Sequence, residues 1–192
     1  MAKAVLPAGY DVAESDQPIA IELKEPWLAA LLAWLVPGLG HVYQGRTGKG
    51  ALFFVCVFGT FLFGMFLGRG KVVYASPPGQ QPWRWQFYCQ LGVGLPAMPA
   101  LWQRHLRVQG KPAAFGGLMA PPYDTPQPLV DASGNKAQQP NQLAAWTIEM
   151  HPMFEVGTMY TVIAGLLNIL VICDAYAGPL VLLPKRKDDA SG

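Results

Sequence analysis

Residues 27 to 67, WLAALLAWLVPGLGHVYQGRTGKGALFFVCVFGTFLFGMFL, set two apolar runs on either side of a short, basic, glycine-rich connection. Each run is about as long as a helix that crosses a hydrocarbon core, so the pair reads as a membrane hairpin. Composition agrees: 52% of the 192 residues are hydrophobic, only 14% are charged, and the mean hydropathy is +0.23. Soluble domains carry nearer a quarter charged residues. An all-α integral membrane fold is therefore expected, the hairpin being joined by one or two further transmembrane helices.

Four segments are candidates to cross: 27–43, 51–67, 86–102 and 156–173. At about 1.5 Å rise per residue each covers about 25 to 27 Å, the short end of what a bilayer requires. Trp27, Tyr43, Trp83, Trp85 and Trp102 flank them as interfacial rings. The third segment holds Gly92, Gly94, Pro96 and Pro99. Prolines remove backbone donors and clash with the preceding turn, so this segment is either a kinked crossing helix or a re-entrant one buried by protein. Four crossings are favoured.

Around these segments lie an acidic N-terminal tail (1–26), a loop (68–85), a proline-rich polar loop (103–155), the flank of the last helix (to 183) and a charged tail (184–192). The first tail lacks the basic start and immediate apolar core of a signal peptide. The long loop is expected to be extended, with Phe115, Leu118 and Met119 at one end and Trp146, Ile148, Met150, Met153 and Phe154 at the other resting in the interface. With four crossings, Lys24, Arg69, Lys71, Arg84, Lys185, Arg186 and Lys187 share the N-terminal side, against Arg46, Lys49, Arg104, Arg107 and Lys111. That bias, seven against five, puts the N terminus on the inner side of the cell membrane.

Several functions are disfavoured. The formal charge is only +2 and the basic residues are scattered, so the footprint of a nucleic-acid binder is missing. Cys56, Cys89 and Cys173 lie in separate apolar segments without paired spacing and read as small buried hydrophobes. His151 and Glu155 are four apart, but two ligands do not make a metal site. No metal or cofactor is expected. GxSxG, HExxH and paired intramembrane carboxylates are all missing from the sequence, which points away from an enzyme. An enzyme would have to gather distant polar residues at the membrane surface, such as His41, Arg46 and Asp174.

The connection, residues 37–50, imitates a phosphate loop at Gly40, Gly45, Arg46 and Thr47, with arginine where lysine belongs. A phosphate loop follows a strand and opens a helix, whereas this one sits between membrane segments. Its glycines are better read as conformational. Pro37 and Gly38 end or bend the first helix, Gly40, Gly45, Gly48 and Gly50 permit a tight reversal, and Arg46 and Lys49 reach lipid phosphates. An apolar run ending in PGLG, then an aromatic, then Gly45-Arg46 and Lys49-Gly50 resembles the hairpin of the two-transmembrane-helix domain proteins. It is similar, more closely, to a group of small bacterial membrane proteins of unknown function. The segment GTMYTVIAGLLNILVICDAYAGP, 157–179, fits that group too. The acidic-arginine-aromatic motif of the two-helix family is replaced here by Gly40 to Tyr43. The resemblance implies an integral membrane protein and brings no reaction or ligand.

Packing signals complete the reading. Gly64 and Gly68 form GxxxG, and Ala29 and Ala33 offer a small face, so the first two helices should pair tightly. Thr161, Gly165 and Asn168 share one face of the last helix. Asn168 should bond to a neighbouring helix admitted by Gly165, or else the stripe lines a polar path. Asp174 falls on roughly the opposite face, at the membrane edge near Lys185, Arg186 and Lys187. The function expected is that of a non-enzymatic multi-pass scaffold, adaptor or organiser in the lipid bilayer, with a homo-oligomer or membrane-protein partner. The alternative is a small transporter or channel subunit.

Overall fold

The computed structural model describes residues 25–76, 84–123, 128–130, 136–138 and 141–178. Residues 1–24 of the N-terminal tail, the charged C-terminal tail with Lys185, Arg186 and Lys187, Trp83 and most of 131–142 lie outside the described residues. Among the described residues the helices are α1 (Pro26–Leu35), α2 (Leu39–Tyr43), α3 (Thr47–Leu67), α4 (Trp85–Gln90), α5 (Met98–Val108), α6 (Gln142–Met150) and α7 (Met153–Ala177). A two-stranded antiparallel ribbon pairs Pro128–Val130 with Lys136–Gln138.

Segment 27–43, expected as a crossing segment ended or bent at Pro37 and Gly38, is two short helices. Pro26 suits the first helical position, but Pro37 and Gly38 stop α1 after ten residues. Gly38 takes φ +83°, the chain reverses, and α2 runs back along α1. Gly40 then sits so close to Ala29 that a Cβ would overlap the Ala29 carbonyl. A second reversal, with Gly45 at φ +81°, leads into α3. The single reversal foreseen at 37–50 is thus two reversals with α2 between them.

Helices α3 and α7 are 21 and 25 residues long and apolar enough to cross a membrane. They are antiparallel, Lys49 lying opposite Asp174 and Gly64 opposite Gly157. One π-helical turn, Phe54–Phe58, interrupts α3. The pairing of first and second helices does not occur as expected: α1 packs on α7 and α2, with Ala29 and Ala33 joining Ala175. The outward faces of both long helices are apolar, with Val55, Phe66 and Leu170 each more than 60% exposed. Cys56 and Cys173 are exposed and Cys89 is half-buried, so the cysteines are free but not buried as expected.

The third segment is broken. Two short 3-10 turns, Leu91–Val93 and Leu95–Ala97, separate α4 from α5, with Gly94 between them at φ +83°. Pro96 and Pro99 occupy early positions of the elements that follow the break, where a missing N–H is harmless. Both ends of the segment meet at Ser76. The Arg84 backbone N–H donates to Ser76 Oγ (2.6 Å) and Arg104 Nε donates to the Ser76 carbonyl (3.0 Å). The chain therefore comes back to the end of the bundle from which it left.

The proline-rich loop is more structured than its composition suggests. It contains the end of α5, a 3-10 turn at Phe115–Gly117, the ribbon and α6, whose first turn is capped by Asn141 Oδ1 accepting from the Leu143 N–H (2.9 Å). Trp146, Met150, Phe154 and Met119 are buried in the core rather than spread over an interface, whereas Ile148 and Phe115 remain exposed. The last helix starts at Met153, ahead of the expected 156.

Candidate functional site

Two polar constellations stand out, one halfway along α7 and one at its C-terminal end. The first lies where the two broken segments meet. From Gly157 to Asp174 α7 rises about 26 Å, and Gly165 and Asn168 sit near the middle of that length. Helices that stop there leave C-terminal carbonyls without intrahelical partners, and side chains must supply the donors. Asn168 Nδ2 donates to the Ala33 carbonyl at 3.1 Å and to the Gly92 carbonyl at 2.8 Å. Trp34 Nε1 donates to the Leu91 carbonyl at 3.1 Å. Gln90 Nε2 donates to Thr161 Oγ1 at 2.8 Å and to the Val72 carbonyl at 3.2 Å.

Glycines make this junction tight. A Cβ on Gly92 would lie 2.5 Å from the Gly165 carbonyl oxygen, one on Gly165 would overlap the Cys89 carbonyl, and one on Gly94 would overlap that of Trp34. Thr161, Gly165 and Asn168 thus face α4, the break after it and the end of α1. Asn168 and Gln90 are wholly buried, and Asn168 Oδ1 and Gln90 Oε1 have no partner among the described residues. Of the glycine pair on α3, Gly64 faces α7 at Gly157 and Thr161, while Gly68 meets Val72 of the following segment.

The second constellation gathers residues from three elements around one carboxylate. Because α2 runs back along α1, it delivers His41 to the C-terminal end of α7, with Nε2 2.6 Å from Asp174 Oδ2. Lys49 Nζ lies 2.5 Å and Arg46 Nη2 3.8 Å from the same oxygen. Gln44 Nε2 donates to the Ala175 carbonyl at 2.6 Å. The His41 ring, wholly buried, sets its edge against Phe53 with centroids 4.9 Å apart. Gly48 and Gly45 leave open space where a Cβ would be, and Gly50 packs on Val42 and Gly38.

Sequence reasoning named His41, Arg46 and Asp174 as a trio that only folding could assemble, and the fold assembles it. It missed Lys49 as an Asp174 partner and Gln44 altogether. The signal for Lys49 is its spacing, three residues after Arg46 at the start of a helix, which puts both cations at one end. The constellation brings together a carboxylate, an imidazole, a guanidinium and an ammonium group. At the opposite end Arg84 lies across the Tyr74 ring at 4.1 Å and donates to the Val72 carbonyl. Desolvation lowers its pKa from the ordinary arginine value, against an opposing electrostatic effect of Tyr74. Among the described residues no three His, Cys, Asp or Glu side chains group as metal ligands.

The fold and its sites define a class: a small helical bundle, two of whose helices are long and apolar enough to cross a membrane, with two broken segments packed against them. Within that class, the chain belongs to DUF6677, a family of unknown function whose match spans residues 28–188. No curated protein and no solved structure matches it.

Proposed function

We propose that this is an integral protein of the cell membrane in which α3 and α7 alone cross, while 26–43 and 84–108 enter from opposite sides and return. Three observations support this: the apolar outward faces of the two long helices, the delivery of α2 back to Ala175, and the shared anchorage of Arg84 and Arg104 on Ser76. Irregular backbone at membrane depth needs protein around it, and the junction at Asn168 provides it. On this topology Arg46 and Lys49 join Lys24, Lys185, Arg186 and Lys187 on the N-terminal side, against Arg69, Lys71, Arg84, Arg104, Arg107 and Lys111. The basic residues then divide evenly, and the orientation follows from labelling rather than from charge.

Within the membrane the chain acts as a non-enzymatic organiser or adaptor that engages a second copy or another membrane protein. The observation that carries this reading is the tight junction: Asn168 fastens both broken segments, and glycines bring their backbones into close contact with α7 and with each other. The test has two parts. Single cysteines replacing Glu25, Thr47, Arg69 or Gln109 in a cysteine-free background should label from one side at Glu25 and Thr47 and from the other at Arg69 and Gln109. Opposite labelling of Glu25 and Thr47 would overturn the topology. Copurification in mild detergent should then recover a stoichiometric partner or a homo-oligomer, and a strictly monomeric, partnerless chain would defeat the organiser reading.

The same junction favours a second reading, a transporter or channel subunit, because discontinuous helices meeting at mid-depth are where transporters place their sites. Flux into liposomes that is abolished by Asn168→Leu would establish it in place of the first.

A further inference from the structure

We infer that the C-terminal end of α7 and the start of α3 form a binding site for a phosphoryl anion, with Asp174 as a built-in competitor that occupies it when the anion is absent. The lipid form of this inference rests on the membrane reading above; the free-phosphate form does not. Four features of the site lead to it. Asp174 is a single carboxylate facing Arg46, Lys49 and the His41 imidazole, so the two permanent cations alone leave one positive charge uncompensated. Arg46 caps α3 without a side-chain cap bond, and no backbone acceptor reaches the N–H groups of Thr47, Gly48 and Lys49, so the positive end of a 21-residue helix points at the same place.

Third, the backbone is approachable: a Cβ at Gly45 or Gly48 would meet nothing within 4 Å, so an anion can come up to the peptide groups themselves. Fourth, hydrogen-bonding capacity there is in surplus. Arg46 Nη1, and His41 Nδ1 on a wholly buried ring, are both buried and have no partner among the described residues. Buried polar atoms in native proteins rarely go unmatched. A tetrahedral phosphoryl group offers several acceptor oxygens to the guanidinium, the ammonium and the free N–H groups together, which a single carboxylate cannot do. It takes the cations from Asp174, and Asp174 keeps its bond to His41. A carboxylate ligand, with two oxygens and one charge, would engage fewer of these donors than a tetrahedral phosphoryl group.

The test uses the full chain purified in neutral detergent. Binding is measured by titrating inorganic phosphate, and separately by reconstitution into vesicles of phosphatidylcholine alone or with phosphatidylglycerol, reading lipid retention by native mass spectrometry. The double variant Arg46→Gln/Lys49→Gln should weaken binding about tenfold or more. Asp174→Asn should tighten it, because the competing charge is gone while the side chain keeps its shape. Binding of inorganic phosphate identifies a free-phosphate site; retention of phosphatidylglycerol without phosphate binding identifies a headgroup site. Neither probe binding, or binding indifferent to Arg46→Gln/Lys49→Gln, would overturn the inference. Should Asp174→Asn fold poorly, Lys49→Arg, which keeps the charge, must retain binding where Lys49→Gln loses it; equal losses in the two would overturn it as well.

Discussion

Gly64 and Gly157 meet backbone to backbone across the two long helices: a Cβ on Gly64 would lie 2.7 Å from the Gly157 carbonyl oxygen, and one on Gly157 would lie 2.6 Å from that of Gly64. Neither helix can move closer, and neither can accept a methyl group without moving away. Gly64→Ala or Gly157→Ala should therefore lower stability by about 1 to 3 kcal/mol, the usual cost of overpacking. The readout is a lower unfolding midpoint in detergent. Gly48→Ala, in open space within the same helix, should leave the midpoint unchanged or raise it.

Asn168→Leu removes two donors at once and leaves the Ala33 and Gly92 carbonyls buried without them. The expected loss is about 1 to 3 kcal/mol. Trp34→Phe keeps the ring in place and removes one bond to Leu91, so its loss should be smaller, about 1 kcal/mol. Unfolding midpoints of the two variants side by side give the order, and a more damaging Trp34→Phe would speak against the junction as described.

Gly94 combines φ +83° and ψ −129° with a backbone neighbour that leaves no room for a side chain. Such a conformation is essentially confined to glycine. Gly94→Ala should thus prevent recovery of a monodisperse protein on size exclusion. Gly116→Ala, also at positive φ but in open space, should cost only about 1 to 2 kcal/mol.

Trp146 is buried against the core while Ile148, two residues on in the same helix, is 79% exposed. Trp146→Ala should cost about 3 to 5 kcal/mol, and Ile148→Ala should cost almost nothing. Limited proteolysis of the 103–155 region gives the second measurement: it should be accelerated by Trp146→Ala and unaffected by Ile148→Ala. Equal sensitivity of both variants would mean that α6 is not part of the folded core.

The breaks in this fold were legible, because their causes are local. Pro37 with Gly38, and the run from Gly92 to Pro99, announce by steric chemistry alone that no straight helix passes through them. What a break leads to is not local. Whether 84–108 crosses or returns is decided by Ser76 meeting both Arg84 and Arg104, and nothing in the spacing of those residues encodes it. The same holds for His41 and Asp174, 133 residues apart, whose meeting depends on α2 running back along α1. Composition also misled in one place: seven prolines and a polar centre concealed an amphipathic helix whose Trp146 and Met150 are core residues.

The π-helical turn at Phe54–Phe58 gives α3 a property that an uninterrupted helix of the same length would lack. One additional residue in a turn rotates everything beyond it by about 100° relative to everything before it. Above the turn Gly50 is seated against Val42 and Gly38; below it Gly64 is seated against Gly157 and Thr161. One rod thus carries two independently keyed bearing surfaces. Deleting a single residue from 54–58 would leave both glycines present, the helix regular and the composition almost unchanged, yet the two surfaces could no longer engage at the same time.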